Sequence, residues 1–457
     1  MTRLRGSPLA VAAGALLLLL VLGSPRCAAA SGGGSAVVLP VNKDDATQQY
    51  VTVFRQRTPQ VPVKAVLDLA GAMLWVDCDA GYVSSSYAGV PCGSKPCRLL
   101  KNAGCAVSCL DAPSSGCLNG TCAEFPKNTV TSVSTAGNVL TDVLSLPTTF
   151  RPAPGPLATA PAFLFTCGRT FLTEGLAAGA TGMVSLSRAR FALPTQLAGT
   201  FRLPRKFALC LPAASAAGFV VFGDAPYTFQ PGVDLSKFLT YTPLLVNPVS
   251  TAPYGRKDKS TKYFIGETTI QLNGRVWREK PTDYFVGLTG IRVNGRAVPL
   301  NATLLAIDRK GVGGTRLSTV SPYTVLERSI HQAVTGAFAK EMGEIPRAPA
   351  VEPFELCYDG SKVVGGARAV LPAIELQLQS TAAPWVVLGA SSMVAAGKGG
   401  ALCLGVVDGG TEPQTSVVIG GRMMEETLLE FDLEGSRLGF SSYLPSRHTT
   451  CDNFRLG

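Results

Sequence analysis

The chain has 457 residues, of which 46% are hydrophobic and only 16% charged, and its formal net charge is +10. This length and apolar content exceed what one ordinary domain needs, so two domains or two similar lobes are expected. The 49 glycines and 32 prolines favour many short strands joined by turns over long helices. The basic residues are scattered and form no recognition helix, which argues against nucleic acid as a partner.

The N-terminal segment has the parts of a secretory signal. Arg3 and Arg5 form a short basic region, and an apolar run and three alanines follow. We therefore predict a signal peptide over residues 1–30, a flexible leader over residues 31–36, and secretion to the extracellular space or cell wall. A membrane anchor is the alternative, but the apolar run is short for a span of roughly 20 residues, so no membrane partner is predicted. Without the signal the charge falls to +7, which favours retention by anionic matrices.

The first half of the mature chain is rich in short alternating or apolar runs, which predict strands. A lobe is predicted over residues 37–235. A cysteine-rich stretch over residues 78–122 predicts a stapled loop, and a Pro/Ala-rich stretch over residues 150–161 predicts a second loop. The predicted strands begin at Val37 and continue over residues 50–54, 61–69, 74–78, 129–146, 163–168, 205–211 and 219–224.

The second half has a comparable rhythm and predicts a C-terminal lobe over residues 236–457. The polar segment 247–262 is expected to be an exposed connection. Residues 329–342 are the best helix candidate, because apolar residues recur there at helical spacing, and His331 on this helix is expected at the surface. Strands are predicted over residues 263–272, 284–293, 302–307, 313–319, 374–378, 385–388, 402–407 and 417–420.

The cysteines support an oxidising compartment. Cys27 leaves with the signal, and the even number that remains predicts up to six disulfides in an exported chain. Zinc binding is the rival interpretation, and the irregular spacings disfavour it. The twelve cysteines are Cys78, Cys92, Cys97, Cys105, Cys109, Cys117, Cys122, Cys167, Cys210, Cys357, Cys403 and Cys451.

Two pairings follow from the distribution of the cysteines. Apart from Cys451, only Cys357 and Cys403 lie in the second half, so they are predicted to bond to each other. Cys210 would then reach Cys451 and hold the C-terminal tail.

Asn119-Gly120-Thr121 and Asn301-Ala302-Thr303 match the glycosylation acceptor sequence, so both asparagines are predicted to be glycosylated in an exported chain.

Three segments resemble the pepsin-like aspartic proteases, in particular their plant branch. The first is Val-Leu-Asp-Leu-Ala-Gly over residues 66–71, followed by Leu-Trp-Val-Asp-Cys over residues 74–78. The second is Gly-Met-Val-Ser-Leu-Ser-Arg over residues 182–188. The third is Val-Ile-Gly-Gly over residues 418–421, with the characteristic ending over residues 429–440. The resemblance implies a mainly β, bilobal pepsin-like fold with two β lobes flanking a central cleft.

Within that branch the chain resembles the cereal xylanase inhibitors, the extracellular dermal glycoprotein of carrot and the basic globulins of legume seeds. The segments Leu-Ser-Thr over residues 317–319, Phe-Ala-Leu-Cys-Leu-Pro over residues 207–212 and Cys-Tyr-Asp over residues 357–359 are similar to that group.

The resemblance places Asp68 at the first catalytic position and Ser318 at the second. Leu69 and Ala70 replace the hydroxyl residue and the glycine that follow the aspartate in active relatives. An aspartic protease needs two carboxylates that share one proton, and a serine cannot supply the second. Asp68 and Ser318 are therefore predicted to be vestigial, and the chain is predicted not to be an enzyme. Asp308 lies ten residues before Ser318, which is the wrong position in the motif to replace the missing second aspartate.

Other chemistries find no support in the sequence. The stretch that corresponds to the flap, roughly residues 125–146, lacks the tyrosine of active relatives. Neither His331 nor His448 lies in a nucleophile motif, and no metal-ligand cluster or phosphate-binding glycine loop is present. No cofactor and no metal are predicted.

The predicted function is inhibition of microbial glycan hydrolases, with fungal endoxylanase first, by a monomeric protein of plant defence. In the resembling cereal inhibitors a histidine just before the last cysteine plugs a cleft that holds two carboxylates. Here His448 precedes Cys451 in a segment one residue longer than the family pattern, so Arg447 is the neighbouring candidate. The alternatives are a weak aspartic-type endopeptidase and a globulin-like protein that binds a peptide or another glycanase.

Overall fold

The computed structural model describes residues 1–2, 36–79, 81–100, 104–109, 118–150, 155–213, 216–249, 262–265, 268–271, 282–365, 371–397 and 399–456. Residues 34–457 form one compact unit that contains every assigned helix and strand. Residues 3–30 of the predicted signal peptide and nearly all of the leader lie outside the described residues, as do most of segment 247–262 and the side chains of Cys109 and Cys117. Among the described helices, none is long and apolar enough to cross a membrane.

Short strands dominate the first half. They are β1 (Val37–Lys43), β2 (Tyr50–Gln56), β3 (Val61–Asp68), β4 (Trp75–Asp77), β5 (Ala88–Gly89), β6 (Gly104–Cys109), β7 (Cys122–Glu124), β8 (Lys127–Asn128), β9 (Val133–Ser134), β10 (Gly137–Pro147), β11 (Leu157–Gly168), β12 (Gly182–Ser185), β13 (Lys206–Cys210), β14 (Gly218–Phe222), β15 (Thr228–Phe229) and β16 (Val233–Asp234).

The second half repeats this pattern. Its strands are β17 (Thr240–Leu245), β18 (Lys262–Ile265), β19 (Thr268–Gln271), β20 (Phe285–Val286), β21 (Leu288–Val293), β22 (Arg296–Ala297), β23 (Thr315–Leu317), β24 (Thr324–Leu326), β25 (Arg347–Ala348), β26 (Cys357–Asp359), β27 (Ile374–Leu378), β28 (Trp385–Val387), β29 (Met393–Ala396), β30 (Ala401–Leu404), β31 (Val406–Asp408), β32 (Val417–Ile419), β33 (Leu428–Asp432), β34 (Arg437–Phe440) and β35 (Phe454–Arg455).

Helices are short and few by comparison. The α-helices are α1 (Lys95–Leu99), α2 (Leu193–Phe201), α3 (Ala302–Leu305), α4 (Arg328–Glu341), α5 (Gly360–Gly365), α6 (Gly389–Ser392) and α7 (Gly421–Met424). Within the described residues, 3-10 helices cover Thr170–Thr173, Leu235–Lys237, Leu444–Arg447 and Cys451–Asn453.

One antiparallel sheet joins the two halves of the chain. Its strands follow the order β2, β1, β14, β13, β33, β34 and β17. The halves meet where Lys206–Cys210 pairs with Leu428–Asp432. Strand β14 is buried along its whole length. Its sequence is a continuous apolar run, as expected for a strand that is covered on both faces.

The same three-stranded arrangement occurs once in each half. Strand β12 lies between β3, to which it is parallel, and β4, to which it is antiparallel. Strand β32 lies in the same way between β23 and β24. Asp68 is the last residue of β3, and Ser318 directly follows β23. This repeat is the two-lobe, mainly β architecture expected from the sequence.

Most sequence-predicted elements are present, and five expectations were wrong. Residues 302–307 contain helix α3 in place of a strand, because the Asn301 side chain accepts a hydrogen bond from the Thr303 amide and caps the helix. Segment 78–122 is not only loop, since β5, α1 and β6 lie within it. Asn247, at the start of the expected exposed connection, is fully buried and donates to the Gly311 carbonyl oxygen.

The fourth error concerns residues 150–161, where β11 begins at Leu157. The register of β10 and β11 shifts between the pairs Asp142–Phe163 and Leu144–Ala160. Pro161 lies within this bulge, where a missing N–H is tolerated, so its presence did not exclude a strand.

His331 was also placed incorrectly. Helix α4 spans nearly the predicted range, but His331 is buried with an exposure of 1%. The reason is the spacing of 331, 334 and 338, which are i, i+3 and i+7 on one helix face, so His331 shares the core-facing side with Val334 and Phe338.

Candidate functional site

The turn after β3 holds the Asp68 carboxyl group in a buried position. The side chain is 3% exposed, and its Oδ1 accepts a hydrogen bond from the Ala70 amide at 2.8 Å. Gly71 has a φ of +80°, which a glycine adopts without strain. The Gly71 carbonyl oxygen accepts hydrogen bonds from the hydroxyls of Ser185 and Ser187, at 2.8 and 2.6 Å, so β12 fixes the turn.

A hairpin formed by β8 and β9 lies over this turn. The Thr129 hydroxyl donates to Asp68 Oδ2 at 2.8 Å. The buried Asn128 side chain holds the hairpin, because its amide group donates to the carbonyl oxygens of Leu172 and Glu174, both at 2.8 Å. The Trp75 indole donates to the Lys127 carbonyl oxygen at 3.0 Å. Both oxygens of Asp68 are thus occupied by hydrogen bonds from the protein itself.

Burial raises the pKa of Asp68 from 3.8 to about 6, because the charged form loses water. The hydrogen bonds from Ala70 and Thr129 oppose this shift, since they favour the carboxylate. The nearby pair of Asp283 and Arg316, joined at 3.0 Å, adds two smaller and opposite charge effects.

The turn after β23 is the counterpart in the second half. The Ser318 amide donates to the Ile419 carbonyl oxygen at 3.0 Å, and the Ser318 hydroxyl oxygen accepts from the Ser321 amide at 3.2 Å. Ser318 is 4% exposed. This hydroxyl is therefore buried and engaged in holding its own turn.

Thr319 joins the two turns. Its hydroxyl oxygen accepts from the Leu69 amide at 3.2 Å, and the hydroxyl donates to the Leu67 carbonyl oxygen at 2.8 Å. Leu69 follows Asp68 as Thr319 follows Ser318, but it has no hydroxyl and cannot make the matching hydrogen bonds to the second turn. Val320 packs against an apolar cluster that includes Trp75 and Met183. The two turns thus meet through one threonine and an apolar contact.

The C-terminal loop places His448 at the surface. The 3-10 helix Leu444–Arg447 ends at His448, whose φ is +57°, and the His448 side chain is exposed. Arg447 is half-buried. Its Nε donates to the Ser442 hydroxyl at 2.6 Å, and its guanidinium lies 4.8 Å from the centre of the Phe238 ring. The two candidate contact residues therefore differ, because only Arg447 is held by neighbouring side chains.

The loop is fixed at both ends. Cys451 forms a disulfide with Cys210, as predicted. The buried Glu426 side chain accepts a hydrogen bond from the Cys451 amide at 2.8 Å, and the Glu426 carbonyl oxygen accepts from the Leu444 amide at 2.8 Å. Burial raises the pKa of Glu426, although the hydrogen bonds from Cys451 and Ala213 oppose the shift.

Disulfides in the described residues connect distant parts of the chain. Cys357 is bonded to Cys403, as predicted. The other three are Cys78–Cys167, Cys92–Cys105 and Cys97–Cys122. Within the part of the chain that the structure describes, no group of three or more His, Cys, Asp or Glu side chains could hold a metal ion.

The remaining sequence candidates lie apart from these turns. Asp308 is an exposed loop residue whose carboxylate accepts from the amides of Lys310 and Val312. Asn119 and Asn301 are both exposed, and the Asn301 side chain also caps α3.

Sequence reasoning missed Thr129, Thr319 and Glu426. Thr319 carried a usable signal, because it follows Ser318 as a hydroxyl residue follows the aspartate in the pepsin-like pattern. Thr129 and Glu426 act through contacts with residues distant in sequence, and no local pattern marks them.

Two β lobes, a repeated strand-turn motif and a hairpin over the first turn define a pepsin-like protein. The matching family models are "Xylanase inhibitor N-terminal" over residues 50–224 and "Xylanase inhibitor C-terminal" over residues 283–442. The chain belongs to this xylanase-inhibitor-type family, whose relatives include aspartic-proteinase-like proteins and seed globulins.

Similarity to individual proteins extends over most of the chain. "Probable aspartic proteinase GIP2" of Nicotiana benthamiana is 45% identical over 92% of each chain. "Gamma conglutin 1" of Prunus dulcis is 34% identical, over 92% of this chain and 90% of its own length. The solved structure of "edgp" is 44% identical with a TM-score of 0.82, covering 92% of this chain and 98% of that one.

Proposed function

We propose that this protein is a secreted inhibitor of microbial cell-wall-degrading glycan hydrolases, with fungal endoxylanase as the first target. The observation that carries the proposal is His448, an exposed histidine on a loop that a disulfide and a buried glutamate hold in place. A preorganised loop loses little conformational entropy when it binds, so a side chain that projects from a fixed loop suits insertion into a cleft.

The chemistry of the target supports this choice. Glycan hydrolases of this kind carry two carboxyl groups on either side of the scissile bond. A cationic or hydrogen-bonding side chain that enters such a cleft can pair with them and exclude the substrate. Membership of the xylanase-inhibitor-type family also supports a glycan hydrolase as the target.

We propose that the protein is not a peptidase, although a relative is named a probable aspartic proteinase. Ser318 at the second catalytic position supplies no carboxylate, so a pair that shares one proton cannot form. The contact from Thr129 supports this proposal, because it occupies the Asp68 oxygen that faces the hairpin.

The disulfides in the described residues and the family relationship favour an extracellular location.

The proposal is tested with purified protein and a panel of fungal endoxylanases. His448→Ala is expected to raise the inhibition constant at least tenfold, since truncation of a buried charge-pairing residue costs about 2–5 kcal/mol. Arg292→Ala is the control, because Arg292 is an exposed cation on β21, whose partners β22 and β27 belong to a different sheet.

The outcomes separate the alternatives. A loss on Arg447→Ala with His448→Ala silent would move the contact to the neighbouring residue. Absence of inhibition across the panel would refute the proposal and favour a globulin-like binding protein. Haemoglobin cleavage at acidic pH, blocked by pepstatin, would instead establish an endopeptidase.

A further inference from the structure

An exposed aromatic ring adjoins the loop that carries His448. Phe238 is 52% exposed and follows the 3-10 helix Leu235–Lys237, where its amide donates to the Leu235 carbonyl oxygen at 3.0 Å. The guanidinium of Arg447 lies 4.8 Å from the centre of its ring. Phe238 comes from a distant part of the sequence, yet it is in contact with the proposed binding loop.

A shared core holds the ring and the loop in fixed relation. Leu235, Leu444 and Cys451 are all fully buried and belong to one apolar cluster. The Thr449 hydroxyl also donates to the Gln230 carbonyl oxygen at 2.9 Å, which ties the loop to the segment before Leu235. The surface that Phe238, Arg447 and His448 form is therefore built before any partner arrives.

The composition of this surface is that of a protein-binding hot spot. Tryptophan, tyrosine and arginine are enriched among the residues that dominate the energetics of protein interfaces, and phenylalanine is enriched at interfaces as well. Lys237 precedes Phe238 and His448 follows Arg447 in the chain, and both are exposed, so basic side chains adjoin the pair of Phe238 and Arg447 in sequence. The acids nearest in sequence are Asp234, which accepts a hydrogen bond from the Ser236 amide, and Asp452, which accepts one from the Thr450 hydroxyl.

We propose that Phe238 is the apolar anchor of the surface that binds an acidic-cleft glycan hydrolase, which rests on the inhibitor function proposed above. His448 enters the cleft between the carboxylates, and Phe238 packs against the protein surface at the rim of the cleft. Arg447 stacks on the ring and is available to an acidic group on the same rim. Affinity thus comes from an apolar contact as well as from charge.

The decisive comparison uses two phenylalanines of equal exposure on similar elements. Phe171 is 54% exposed and lies in the 3-10 helix Thr170–Thr173, on a different part of the chain. Phe238→Ala is expected to weaken inhibition of the responsive endoxylanase at least tenfold, whereas Phe171→Ala changes it less than twofold. Phe238→Tyr, which keeps the ring, should retain inhibition within about threefold of the unmodified protein.

The salt dependence of the affinity is a second measurement, and a general loss of structure would not produce the result expected from it. Removing an apolar anchor should leave the slope of affinity against salt concentration unchanged, whereas Arg447→Ala should reduce it. Equal inhibition by Phe238→Ala and Phe171→Ala, with His448→Ala still impaired, would overturn the role of Phe238 and leave the proposed function intact. Absence of inhibition by the unmodified protein would overturn both.

A carbohydrate role is the remaining alternative, because exposed aromatic rings also stack on sugars. It is tested by titrating the unmodified protein with xylohexaose in the absence of enzyme. Binding of the sugar that Phe238→Ala abolishes would overturn the protein-anchor assignment. Lack of sugar binding, together with the tenfold loss of inhibition, supports it.

Discussion

Replacing Asp68 by asparagine should stabilise the protein at neutral pH. Burial raises the pKa of Asp68 from 3.8 to about 6, so the folded state holds this proton more tightly than the unfolded chain. The folded state is therefore most favoured below about pH 4, and stability falls as the pH rises through 6. A difference of about 2 pKa units corresponds to ~3 kcal/mol at pH 7. Asparagine resembles the protonated acid in shape and avoids this cost.

The assay is denaturant-induced unfolding of both proteins, with disulfides intact, at pH 4, 5, 6 and 7. The difference between Asp68→Asn and the unmodified protein should be near zero at pH 4 and grow to about 3 kcal/mol at pH 7. Comparing the two proteins at each pH removes the contribution of other titrating groups. A variant that is less stable by the same amount at every pH would refute the reasoning, because the carboxylate would then contribute favourable contacts and no desolvation cost.

The other predictions concern the joined turns and the surface asparagines. Thr319→Val should destabilise the protein by at least about 2 kcal/mol, because it leaves the buried Leu69 amide and Leu67 carbonyl oxygen unpaired. Thr335→Val, which removes hydrogen bonds from a hydroxyl to carbonyl oxygens of the same helix α4, should cost less in the same thermal-unfolding experiment, and an equal cost would contradict the special role of Thr319. Asn119→Gln and Asn301→Gln should each reduce the mass of protein secreted by plant cells by one glycan, and a mass insensitive to glycosidase would exclude both sites.

The fold could be predicted from the sequence wherever local pattern and tertiary structure agree. Runs such as residues 374–378 alternate between core and surface, and β27 has those bounds. Errors arose where a strand irregularity or a capping contact decided the outcome. Pro161 is accepted because β11 carries an extra residue there against its partner β10, and residues 302–305 are helical because the Asn301 side chain caps them.

The candidate site was predictable to the extent that it follows motifs. Asp68, Ser318 and His448 are marked by their position in short patterns. Thr129 and Phe238 are not, because their contacts with Asp68 and Arg447 join segments remote in sequence. The difference in freedom between Arg447 and His448 also depends on those contacts, so sequence alone could not rank the two.

The sheet that joins β13 to β33 couples the two lobes through a strand pairing between the two halves of the chain. Five residue pairs connect strands from opposite halves, between Lys206 and Asp432 at one end and Cys210 and Leu428 at the other. A fragment that ended near residue 235 would leave β13 as an apolar sheet edge with unpaired backbone groups, which is a template for aggregation. The lobes should therefore melt together in one calorimetric transition, and neither should be obtainable as a soluble piece.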